Sequence, residues 1–172
     1  IKPISTELPL VSESCDALVS FMQDCYNMRL QAEQGKNFSE ELMELNKYKI
    51  KSEEINKYLA LLVKLAADNK EDEYFRSEFN SMIKDLYMLE NHQENFFYHY
   101  LRKMIFIRPL GERAIANGGF DMEIALIERA LLKNDLIHAK QHMEKIYNSN
   151  SLSELVLKIQ NKITIRETIE SL

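Results

Sequence analysis

Residues that break helices are scarce in this chain. Its 172 residues include four glycines and three prolines, and these two are the strongest punctuators of local structure. A many-stranded sheet needs frequent turns, so their scarcity favours a few long helices. The apolar spacing agrees. Leu18, Phe21, Cys25, Met28 and Ala32 step by three and four, the mark of a single buried helix face. No segment shows a convincing period-two alternation.

Caps and stops divide the chain. Pro3 and Pro9 predict an extended stretch over 1–11. Ser12 or Ser14 can cap a first helix to about Gln34, where Gly35 is a natural stop. Asn37 or Ser39 can cap a short helix through about Lys47, with Leu42 and Leu45 inward. Ser52 caps a third, with Ile55, Leu59, Leu62 and Ala66 inward, and Asp68-Asn69-Lys70 ends it. From Asp72 onward, Phe75, Phe79, Met82, Leu86 and Leu89 make one stripe. After a break at Glu90-Asn91-His92-Gln93, Phe96, Phe97, Tyr100, Leu101 and Met104 make another. Pro109, Gly111, Gly118 and Gly119 make 108–120 the most irregular segment.

Asp121 caps the next helix, to about Lys133, and Asn134-Asp135 is a tight turn. A helix to about Tyr147 follows, with Leu136, Ala139, Met143 and Ile146 inward. Ser151 caps the last, with Leu152, Leu155, Ile159 and Ile163 inward. The expectation is an all-α fold of about seven or eight helices in an antiparallel bundle or hairpin array, with no sheet and a single domain over 12–172.

A net charge of −5 weighs against a general nucleic-acid binder, which would show a basic surface. No apolar run approaches the roughly 20 residues that span a bilayer. The chain begins at Ile1 rather than Met and reads as a fragment, so an anchor upstream of it is compatible with the sequence. Cys15 and Cys25, on one helix, would be about 15 Å apart, too far for a disulfide. They read as apolar packing residues.

Chemistry is hard to find. There is no GxGxxG, phosphate loop, GxSxG or HExxH. His138 and His142 are four apart and share a helix face, as a metal pair would require. No third ligand follows from spacing, and Glu128 on the preceding helix is not tied to that face. Two surface histidines are the favoured reading. The acidic groups Glu40-Glu41, Glu53-Glu54 and Glu71-Asp72-Glu73 sit at helix starts, where the dipole explains them. The expectation is therefore no enzyme, catalytic residue, metal or cofactor, and no small-molecule substrate. Phe96, Phe97, Tyr98, Tyr100 and Phe106 cannot all share one helix face, so this helix is either buried nearly all round or faces a partner. Phe96, Phe97, Tyr100, Phe106, Arg108 and Pro109 form the candidate interaction surface. The partner expected there is another protein or a second copy. A membrane surface is the alternative, for the first helix, although Glu13, Asp16 and Asp24 weigh against anionic lipid.

Several segments resemble a known family. Met104-Ile105-Phe106-Ile107-Arg108-Pro109-Leu110-Gly111-Glu112 resembles the hydrophobic-x-x-Arg-Pro-x-Gly element of the bacterial mitofilin family. Glu128-Arg129-Ala130-Leu131-Leu132-Lys133-Asn134-Asp135-Leu136-Ile137-His138-Ala139 is similar to that family's Ala-x-x-Ala-Leu-x-x-Gly-Asp-Leu-x-x-Ala hairpin, with Asn134 where Gly is usual. Upstream, Leu30-Gln31-Ala32-Glu33-Gln34-Gly35-Lys36-Asn37-Phe38-Ser39-Glu40-Glu41-Leu42 looks like the family's Ala-x-x-Gly-x-Pro-Phe-x-x-Glu-Leu, with Asn37 replacing Pro. The motifs run in register from about residue 15 to 172. The resemblance implies the C-terminal periplasmic domain of an inner-membrane protein, with 1–11 leading from an upstream coiled coil. It also implies a non-catalytic scaffold role in inner-membrane organisation, through membrane shaping and contacts with partner proteins. An alternative resemblance is to the ligand-sensing C-terminal helical domain of a GntR-type transcription regulator. There, however, Asn80 replaces a metal-binding His.

Overall fold

The computed structural model describes residues 8–48, 52–90, 108–146 and 150–172, with side chains of the first helix from Cys15 on. Among these residues there are eight α-helices, one short 3-10 turn and no strand, so the fold is all-α. Spacing alone reads 12–172 as one domain. The contacts gather into two compact units, residues 1–69 with 165–172 and residues 70–164.

The first unit contains α1 (Leu8–Glu33), α2 (Ser39–Leu45) and α3 (Glu53–Leu65), the last followed by a 3-10 turn over Ala66–Asp68. Helix α1 starts upstream of Ser12 and Ser14, so neither caps it. Pro9 falls in its first turn, where a missing N–H costs nothing. At the other end Gly35 adopts φ 70. The Lys36 N–H reaches the Gln31 carbonyl at 3.1 Å and the Gly35 N–H the Ala32 carbonyl at 3.2 Å. That is the six-to-one, five-to-two pattern of a Schellman stop, which a residue with no Cβ adopts most cheaply. Buried Asn69 reinforces the stop. Its Nδ2 donates to the carbonyls of Ala32 at 3.0 Å and Lys36 at 2.8 Å.

Asn37 does not cap α2 directly. Its Oδ1 accepts from the Ser39 N–H at 2.9 Å and the Ser39 hydroxyl at 2.6 Å, folding the turn that leads into the helix. Ser52 caps α3 as its type predicts, accepting from the Ile55 N–H at 3.3 Å. Met28, Phe38, Leu42, Leu45 and Leu62 fill the core of this unit, joined by Ile165. Tyr48 closes one side, edge-on to Phe21 with ring centroids 5.3 Å apart, and donates its hydroxyl to Asp24 at 2.8 Å.

The second unit holds α4 (Asp72–Glu90), α5 (Glu112–Asn117), α6 (Gly119–Leu132), α7 (Leu136–Lys145) and most of α8 (Asn150–Glu170). The buried row of α4 is Phe75, Phe79, Ile83 and Leu86. Met82 is half-buried and Leu89 is exposed. Those two fall on the opposite side of the Phe75–Phe79–Leu86 row from Ile83, so the core-facing arc is rotated from the one the spacing suggests. The segment 108–120 contains α5, and Gly118 and Gly119 at φ 72 and 58 form the abrupt joint to α6. Asp121 therefore lies inside the first turn of α6 rather than ahead of it.

Helices α6 and α7 form a hairpin. Asn134 takes φ 56, the Asp135 N–H bonds the Ala130 carbonyl at 2.9 Å, and the Asn134 N–H bonds the Leu131 carbonyl at 3.1 Å. This is a second Schellman stop, with asparagine in the glycine place. Asp135 then caps α7 by accepting from the His138 N–H at 3.2 Å. Leu136, Ala139, Met143 and Ile146 are buried. Ile124 and Ile127 of α6 are fully buried, each stabilising by about 1.5–3 kcal/mol. Helix α8 begins at Asn150, so Ser151 sits within its first turn. Leu152, Leu155, Ile159 and Ile163 are buried, as their spacing predicts.

Candidate interaction surface

Of the six residues singled out from sequence, Phe96, Phe97, Tyr100 and Phe106 lie outside the described residues. Arg108 and Pro109 are described, and Arg108 is not a free docking group. Its guanidinium grips the Glu128 carboxylate of α6 with both terminal nitrogens, one at 2.9 Å. The two side chains are 14% and 23% exposed. The hydrogen bonds it donates to Glu128 hold the guanidinium above its usual range. The Arg-Pro segment is thus fastened to α6, and Glu128 serves this ion pair. Beside it, Tyr87 donates to Asp121 at 2.6 Å and stacks edge-on to Phe120 at 5.0 Å. Burial, then the Asp121 hydrogen bond, pushes the phenol well up.

The histidines go separate ways. His138 is exposed, with Nδ1 2.7 Å from Asp135. His142 is not a surface histidine. Its side chain is half-buried, with Nδ1 2.6 Å from Glu123 of α6. Among the described residues no group of three or more His, Cys, Asp or Glu side chains could hold a metal ion.

The surface that sequence reasoning missed lies on α1. Phe21, Cys25, Met28 and Ala32 turn toward the core of their unit, half-buried to buried. Leu18, expected among them, is exposed. A second row, Val19, Met22, Tyr26 and Leu30, is exposed too, from 39% to 66%. At roughly 100° per residue, this row is centred about 135° around the helix from the first. Cys15, also exposed, continues it. The signal was present in the spacing of Cys15, Val19, Met22, Tyr26 and Leu30, with steps of four, three, four and four. It was masked because a reading that looks for a single face stops at the first row. Next to this face, Asp24 joins Glu40, Glu41 and Glu44 of α2 around a surface groove of about 390 Å³, which makes the surroundings acidic.

Compared with models of known protein families, with characterised proteins and with solved structures, the chain matches none.

Proposed function

We infer that the chain is a non-catalytic helical interaction domain, of the scaffold kind that its resemblance to bacterial mitofilin proteins implies. In this reading it contributes to inner-membrane organisation from the periplasmic side, through helix-mediated contacts. One observation carries it: the apolar row on α1, where Val19, Met22, Tyr26 and Leu30 are exposed along one side while a separate face is committed to the core. Scattered surface apolar residues need no explanation, but a contiguous patch marks a contact site. The register of the resembling motifs has physical support as well. The Arg-Pro element is tied down by Glu128, and Asn134 takes the left-handed conformation at the place where glycine is usual. No helix among the described residues is long and apolar enough to cross a membrane, and the anchor in this reading is one that the resemblance implies.

The test is site-specific photocrosslinking in cells, with the crosslinking residue at position 22 or 26, and at Asn27 on the polar side as control. Adducts from 22 and 26 but not from 27 are expected. Positions 22 and 26 giving nothing above the control would remove the reading.

A further inference from the structure

We propose that Asn117 is a site of spontaneous covalent modification: its side-chain amide is lost by intramolecular deamidation, and the products loosen the joint between α5 and α6. Of the chain's asparagines, only Asn117 is followed by glycine. The pair matters because the attacking group is the backbone nitrogen of the next residue. A residue without a Cβ leaves that nitrogen unshielded and its backbone free to turn.

The fold puts this pair where the reaction is little hindered. Asn117 is exposed and is the last residue of α5, a helix of 6 residues. Helices so short are marginal in water, and helix ends open most readily. The Gly118 N–H is bonded to the Ile115 carbonyl at 3.2 Å, within this last turn. The space beside Gly118 and Gly119 is open, with no side chain from elsewhere within 4 Å of where a Cβ would stand. The Asn117 Nδ2 donates to the Asp121 Oδ2 at 3.3 Å, a long bond between exposed groups. Other asparagines lack this setting. Asn80 precedes Ser81 in the middle of α4. Asn134 precedes Asp135, whose N–H is held by the Ala130 carbonyl at 2.9 Å.

The reaction needs only water and base. Base takes the proton from the Gly118 N–H, and the nitrogen attacks the Asn117 Cγ. The N–Cγ bond forms, the Cγ–Nδ2 bond breaks, and the side-chain nitrogen leaves as ammonia, taking up that proton. Water then opens the cyclic imide. Opening at Cγ gives aspartate. Opening at the backbone carbonyl gives isoaspartate, in which the chain runs through the former side chain and gains a methylene. No atom is oxidised or reduced. Both products change the joint. The donor at position 117 becomes a carboxylate, which only accepts, and it faces the Asp121 carboxylate across the former hydrogen bond. Like charges so close repel. Asp121 is not free to turn aside, because its Oδ1 holds the Tyr87 hydroxyl at 2.6 Å. In the isoaspartyl product the added methylene also displaces Gly118, whose φ of 72 sets the direction in which α6 starts.

The experiment uses the full chain. It is kept for several days in warm, mildly alkaline buffer and mapped by peptide mass spectrometry, with fragmentation that separates aspartyl from isoaspartyl residues. Most chains should lose the amide at Asn117, as a mixture of the two products, while Asn80 and Asn134 keep theirs. Asn117→Gln, which would have to close a larger ring, should keep its amide under the same conditions. Hydrogen exchange should show the α5 amides less protected in the aged chain than in the fresh one, with the α7 amides unchanged. Asn117 surviving as fully as Asn80 overturns the proposal. So does a deamidated chain whose α5 amides exchange as slowly as before.

Discussion

Asn69 offers the sharpest test of how the first unit is held. The residue is 4% exposed, and its side-chain nitrogen faces two carbonyl oxygens, of Ala32 and Lys36, at 3.0 and 2.8 Å. Both partners are acceptors, so only a group with two donors serves them. Asn69→Ala removes two hydrogen bonds worth about 1 kcal/mol each. The Ala32 carbonyl keeps the Gly35 N–H. The expected loss is therefore about 2 kcal/mol, a large share of the 5–15 kcal/mol typical of a domain. Asn69→Asp is the more telling change. It has nearly the same shape, but at neutral pH it sets a carboxylate without protons against two carbonyls. It should be less stable than the alanine variant despite keeping the packing, and should recover part of the loss in acid, where the protonated form has one donor. Urea unfolding followed by circular dichroism gives the free energies, and hydrogen exchange at the Gly35 and Lys36 amides reports whether the loss is centred on the α1 stop. An alanine variant within about 0.5 kcal/mol of the wild type, below the range for even one hydrogen bond, would refute this account. So would an aspartate variant more stable than alanine at neutral pH.

Three further outcomes follow from other sites. Asn134→Gly should change stability by no more than a few tenths of a kcal/mol, because glycine adopts φ 56 freely, whereas Asn134→Val should cost about 1–2 kcal/mol, both measured by chemical denaturation. The Arg108–Glu128 pair lies between surface and core, so removing either partner should cost about 1–3 kcal/mol, and a double-mutant cycle should show that the two losses are not additive. Asp135→Ala should cost about 1 kcal/mol as a lost cap. The His138 N–H is the main cause holding the Asp135 carboxyl below the usual carboxylate range. A depressed folded-state value means that this contribution is complete above about pH 4 and fades as the pH falls further. Thermal melts of variant and wild type should therefore converge in acid and stay apart at neutral pH.

Much of the fold was legible because it rests on local rules. Gly35 stops α1, Ser52 caps α3, and Asn134-Asp135 turns the hairpin, each through a bond to a backbone group a few residues away. The buried rows of α7 and α8 followed from spacing alone. What was hidden depends on contacts distant in sequence. Nothing in the sequence near Asn69 tells it to reach Ala32, 37 residues earlier, and nothing in Glu128 announces Arg108. The rotation of α4 toward Ile83 is decided by what packs against it, not by its own pattern. On α1 the sequence held two apolar rows, and periodicity could not say which one the protein keeps inside.

The last helix has a consequence for how the chain comes into being. Ile165, Thr168 and Ile169 belong with residues 1–69, and Ile165 is almost fully buried in that core. During synthesis the ribosome delivers the chain from its N-terminus, and domains tend to fold as they emerge. Residues 70–164 are contiguous and carry their own core. Residues 1–69 cannot complete theirs until 165–172 have followed. Their helices wait through the making of the whole second unit with an unfilled gap where Ile165 will sit, so the unit built from two separated segments is finished after the one that lies between them.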